Sequence, residues 1–163
     1  MTVTTKSTEY SAEWAKQLES ARGSLRLTNP ENFGSVRFHR ITFTQGAAAG
    51  DATSTQGLLI LPAGRYRLLE LALDISAFGA SRTLDVGWGD FDGPDGVNVV
   101  ADPNGLISAL DVSGALVGSR INAATGRALL IDSKEAVEIY STVAGGTIPA
   151  GATIKGHLLT GQA

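Results

Sequence analysis

A chain of 163 residues is one domain with room for an appended arm, long enough to bury roughly two thirds of its unfolded surface around a single core. It has no cysteine, a net charge of -3 and a pI near 5.3, which excludes disulfides, thiolate metal sites and cysteine nucleophiles and denies it the basic footprint of a general nucleic-acid binder. With 20 glycines and only 18% charged residues it reads as a turn-rich β-domain that hides surface in an assembly.

Residues 1–34 read as an N-terminal arm. Tyr10, Trp14, Leu18 and Ala21 fall on one stripe at helical spacing, with Ser11 as a cap, Glu13 in the first turn and Gly23 as a stop. A helix so short is marginal alone in water, so its stripe must dock on its own β-domain or on a neighbour. The flanks, Thr2 to Thr8 and Ser24 to Gly34, read as polar or irregular. The first six residues lack the apolar core of a secretory leader, and no apolar run approaches the roughly 20 residues of a membrane helix. Absence of cysteine suits folding in a reducing cytosol.

From residue 35 onward the pattern is β. Val36, Phe38, Ile41 and Phe43 carry the first strand, and the apolar phase switches between Phe38 and Ile41, which predicts a bulge or a strand buried on both faces. Residues 45–56 read as a loop, and Gly57 to Leu61 as a short apolar strand. Leu61-Pro62-Ala63-Gly64 and Ile148-Pro149-Ala150-Gly151 are matching corners, where Pro ends a strand and Gly supplies the freedom to start another. After the first corner, strict alternation puts Leu69, Leu71, Leu73 and Ile75 on one side, with Leu68, Glu70, Ala72 and Asp74 on the other. Leu84, Val86 and Trp88 form the next inward row. Residues 90–96 and Asp102-Pro103-Asn104-Gly105 read as turns around a short strand at 97–100. Residues 106–112 fit a strand or a helical turn; 127–131, 136–143 and 152–160 fit strands, with Val137, Ile139, Ser141 and Val143 on one face. About eight strands without alternating helices predict a sandwich or barrel rather than a parallel α/β sheet.

Catalytic chemistry finds no foothold. Asp90, Asp92, Asp95 and Asp102 loosely match a calcium loop, but the spacing fails, no Glu closes the site, and Asp and Gly are ordinary turn formers. His39 and His157 are the only histidines, neither in a short-range metal or base pair, and both read as structural or surface residues. There is no Gly-x-Ser-x-Gly elbow and no phosphate-binding glycine pattern. No catalytic, metal or cofactor site is expected. Arg37, Arg40, Arg65, Arg67 and His39 form a basic set on neighbouring strand segments, either a patch for a carboxylate-rich partner or solvated residues guarding an edge.

The run from Gly64 to Trp88, together with Leu61 to Gly64, Thr83 to Trp88, the Asp92 to Asp102 loop and Ile148 to Gly151, resembles the head decoration or cement proteins of tailed bacteriophages. The likeness spans about residues 36 to 160, and its motifs are structural. It implies an antiparallel β-sandwich, often jelly-roll-like, that trimerises, binds the major capsid protein on the outer head lattice, and assembles in the host bacterial cytoplasm into the virion. On that reading Tyr10, Trp14, Leu18, Arg37, Arg65 and Arg67 are the interface candidates, facing the capsid or a sister protomer. The alternatives are another virion part (a head fibre base, a tail component or a head–tail connector) and a carbohydrate-binding or hydrolytic β-domain.

Overall fold

The computed structural model describes residues 4–6, 36–51, 55–120 and 129–162. The helix expected in the arm, with Tyr10, Trp14 and Leu18, lies outside the described residues. Within them the protein is all-β, an antiparallel sandwich of two sheets. The strands are β1 (Thr4–Lys6), β2 (Val36–Thr44), β3 (Thr55–Leu61), β4 (Gly64–Ile75), β5 (Thr83–Trp88), β6 (Phe91–Asp92), β7 (Asn98–Val99), β8 (Asp102–Asp111), β9 (Leu116–Arg120), β10 (Leu130–Ser133), β11 (Val137–Ala144) and β12 (Thr153–Gln162).

One sheet runs β1-β3-β11-β5-β8 and the other β10-β4-β12-β2, with β9 also on β4. The eight long strands interleave between the sheets as a jelly roll does: first and last lie side by side, and the order folds inward from there. The two Pro-Ala-Gly corners have the same task in this winding. Each passes the chain from the first sheet to the second, β3 into β4 and β11 into β12. Gly151 takes φ +71° there, a left-handed backbone that favours glycine, and the second corner is pinned by bonds from Gly50 N–H to Ile148 O and from Ala152 N–H to Pro149 O.

The core is the apolar inner row of each strand. Ile41, Phe43, Leu68, Leu71, Leu73, Ile154 and Leu158 from one sheet meet Leu59, Leu61, Leu84, Val86, Val137 and Ile139 from the other. Ser141 holds its place in that row by donating its hydroxyl to Gln56 Oε1 at 3.0 Å, so neither buried polar group is orphaned.

Four local expectations are corrected. Leu69 does not share a face with Leu71: the register between β4 and β12 shifts at Leu159/Thr160, opposing Glu70 and Leu68, so Leu69 is a bulged extra residue and Leu68 turns inward. The first strand contains no bulge: β2 pairs with β12 in unbroken register, Phe38 points outward and is 64% exposed, and the apparent phase switch is Val36 and Phe38 on the outer face with Ile41 and Phe43 on the core face. Asp102 to Gly105 is the start of β8 rather than a turn. Thr4–Lys6, in the flank that reads as polar or irregular, pairs parallel with Thr55 to Gly57.

Candidate interaction faces

The outer face of β10-β4-β12-β2 is built from the residues that alternate with the core. Register places Leu130, Arg67, Gly161 and Val36 in one row across the four strands. The next row is Glu70, Leu159 and Phe38, then Ala72, His157 and Arg40. Gly161 has no side chain, and Leu69 fills the space above it: a Cβ there would stand 3.6 Å from Leu69 Cδ1. The bulge thus turns an apolar side chain outward at the point where the row has a gap. Val36, Phe38, Leu69 and Leu130 are all exposed large apolar residues, and they cluster at this end of the sheet. Such clustering on a surface marks a contact site more often than solitary exposed leucines do.

Of the interface candidates, Arg65 and Arg67 share this outer face; Arg65 lies 3.5 Å from Asp132 on β10. Arg37 is exposed but alternates to the other face, where its charge reaches the Tyr66 phenol. His39 goes the same way, and its Nε2 is hydrogen-bonded to Thr160 Oγ1 at 2.9 Å. Arg40 faces outward beside His157. His157 stacks on Phe38 with ring centroids 5.0 Å apart and sits 4.0 Å from Glu70 Oε1. The basic set of the sequence is therefore split between two faces, and the two histidines do not form a pair.

The outer face of β3-β11-β5-β8 has the opposite character. These four strands contain Asp85, Asp102, Asp111 and Glu138 and not one lysine or arginine. Tyr140 stands at its centre, in register with Gly57 on one side and Gly87 on the other, so neither neighbour covers it with a side chain. The Tyr140 phenol is pushed up first by burial and then by the negative charges of Glu138, Asp102 and Asp90. Trp88 stands opposite Ile139 on the core side of this sheet and lies over Gly105, and its Nε1, like Glu138 Oε1, is buried without a hydrogen-bond partner among the described residues. The β6–β7 hairpin, which links β5 to β8 along the chain, carries Val97 and Val100, 62% and 76% exposed. By contrast, β2, β4, β12 and β10 carry Arg37, Arg40, Arg65, Arg67 and Lys155 against Glu70, Asp74 and Asp132.

Two of the aspartates considered for calcium accept backbone N–H groups two residues on. Asp95 Oδ1 accepts the Val97 N–H and Asp102 Oδ1 the Asn104 N–H. Asp92 contributes backbone: its N–H donates to Glu135 Oε1 and its carbonyl accepts from Lys134 N–H. Among the described residues no group of three or more His, Asp or Glu is placed to hold a metal ion. Asp85 Oδ1 likewise accepts the Ala109 N–H, which fixes Ala109 at φ +51°. The functional signal missed in the sequence is the charge difference between the sheets; it becomes visible only when residues far apart in the chain are sorted by sheet.

The tyrosines give the protein an alkaline limit. Burial raises the Tyr66 phenol, with Arg37 opposing, and the Tyr140 phenol is raised as described. Below the ordinary tyrosine value of about 10 both are neutral, folded or unfolded. As pH rises past that value the unfolded chain ionises first, so stability present below it is lost as pH climbs through the raised folded values. Thermal melts from pH 8 upward are expected to fall beyond pH 10, and less steeply in Tyr140→Phe. A melting temperature flat to pH 12 would contradict the burial of both phenols.

No protein-family profile and no curated protein sequence matches the chain. Solved structures do. A chain in the capsid of Ralstonia phage GP4 superposes with a TM-score of 0.65 at 24% identity, covering 99% of this chain and 99% of that one. A chain in the capsid asymmetric unit of cyanophage Pam1 superposes at 0.61 and 15% identity, covering 88% of this chain and 96% of that one. At these identities the likeness is one of fold: the jelly roll described above is a fold that two phage capsids contain.

Proposed function

We propose that this chain is a structural virion protein, a decoration or cement protein that binds the outer lattice of a phage head and stabilises it. The supporting observation is the end-to-end fold match to a chain of the Ralstonia phage GP4 capsid: with 99% of both chains covered, the counterpart in that capsid is a jelly roll of this size, not a module of a larger subunit. A decoration protein does no covalent chemistry. It adds binding free energy between capsomers, and many modest contacts sum to a shell that resists internal pressure. On this reading the partner is the major capsid protein, the chain acts as a homo-oligomer with a trimer favoured, and assembly takes place in the host bacterial cytoplasm. The arm, residues 1–34, leaves the β-domain after the Thr4–Lys6 strand and lies across the capsid or a sister protomer with Tyr10, Trp14 and Leu18 as anchors.

The test uses heads of the same phage made without this protein. Full-length chain is expected to co-sediment with them to saturation, and Tyr10→Ala/Trp14→Ala/Leu18→Ala to lose most of that binding while keeping its far-UV spectrum. Absence of co-sedimentation by the unsubstituted chain would end this reading.

A further inference from the structure

We propose that copies of this chain associate head to tail, the apolar, arginine-bearing outer face of β10-β4-β12-β2 of one copy seating on the acidic outer face of β3-β11-β5-β8 of the next. This deepens the homo-oligomer reading above, on which it rests, by naming the two surfaces. Charge complementarity within the chain selects the occupant. The four strands of the acidic face hold four carboxylates and no lysine or arginine. The other sheet presents Arg65 and Arg67 beside the exposed Val36, Phe38, Leu69 and Leu130. A second copy therefore supplies what each face lacks.

A self-complementary, isologous contact would do the reverse. Pairing the arginine face with itself would bring two arginine-bearing faces together and leave the acidic face of each copy without a positive partner, and like charges brought together oppose association. The contact is heterologous, so it closes into a ring if the rotation between copies allows and extends if it does not. Each face has an apolar as well as a charged part: the Phe38 end on one, and the aromatic ring of Tyr140 on the other. Apolar area supplies affinity, and the opposed charges supply orientation and salt sensitivity.

Sedimentation velocity on the isolated full-length chain tests this without capsids. The chain is expected to associate at low salt and to weaken as added salt screens the faces from one another. Arg65→Glu/Arg67→Glu makes both faces acidic; Asp90→Lys/Thr142→Lys sets two lysines among the four strand carboxylates that remain on the acidic face and cancels much of its charge. Each is expected to weaken self-association about tenfold or more. Mixing the two variants in equal amounts should restore assembly, since each now offers what the other needs. Circular dichroism checks that both remain folded, and all four positions face outward, so they should. A chain that is monomeric at every concentration overturns this inference and the oligomer reading together. Variants that assemble as the unsubstituted chain does, or that fail to recover on mixing, overturn the inference alone. Head binding is measured separately and is untouched by any of these outcomes.

Discussion

Leu71→Asp is expected to leave no folded domain, whereas Leu69→Asp, two residues away, should melt within a few degrees of the unsubstituted protein. Leu71 is 0% exposed, lies in the middle of β4 and faces Leu158 across the ladder. β4 is the strand that binds its sheet together, flanked by β12 along one side and by β10 and β9 in succession along the other. Burial of Leu71 contributes about 1.5–3 kcal/mol. Its replacement by a carboxylate forfeits that and buries a charge with no cation beside it, at a further cost of several kcal/mol. Domains of this size are stable by only about 5–15 kcal/mol, so the sum consumes most or all of it. Leu69 is 41% exposed on the outward bulge, where a carboxylate stays in water. The pair is a direct test of the register: simple alternation puts both leucines in the core, and the bulge separates them. Urea unfolding of both variants decides it, and equal losses at the two positions would refute the bulge.

The same pair shows what the sequence could and could not disclose. Alternation and corner residues locate nearly every long strand, because burial on one face of a pleated strand imposes a period of two and Pro-Ala-Gly interrupts it. A bulge leaves no local mark on a strand that is apolar on both sides of it. The partner strand, nearly ninety residues away, sets where the register slips. The turn assigned to Asp102-Pro103-Asn104-Gly105 failed for a related reason. Its composition is that of a turn, but Trp88 offers Asp102 a ladder partner, and tertiary pairing overrides propensity. The candidate interface was legible only in pieces. Arg65 and Arg67 lie on one face, since two residues apart on a strand means the same side. Arg37 belongs elsewhere, because its strand meets β4 only through β12, and the phase of that relation is invisible without the register.

Gly87→Ala carries the second largest expected effect, and it bears on why the Thr83-Leu84-Asp85-Val86-Gly87-Trp88 segment has its composition. Leu84 and Val86 fill the core, and Asp85 caps the Ala109 N–H. Gly87 is buried with an ordinary backbone conformation, so freedom of φ is not its purpose. Space is. A Cβ at position 87 would collide with the carbonyl oxygen of Asp102 and with the backbone of Pro103. The ladder between β5 and β8 slips between Val86 and Trp88, and the chain at Asp102 and Pro103 crosses over residue 87 within that slip. Because the obstacle is main chain, no side-chain rotamer can relieve it. Accommodation would have to push β8 away from β5, weakening an edge strand and lifting Trp88 from Gly105. Overpacking against a fixed backbone costs about 3 kcal/mol or more. Gly114→Ala is the matched control: nothing lies within 4 Å of its Cβ position and its φ is not in the left-handed region, so its effect should stay within about 0.5 kcal/mol. Chemical denaturation reads the stability of both, and Trp88 fluorescence reports whether its ring has left its seat. If Gly87→Ala unfolds at the same denaturant concentration as Gly114→Ala, then β8 does not cross where the structure places it, and the acidic face built on that crossing loses its shape.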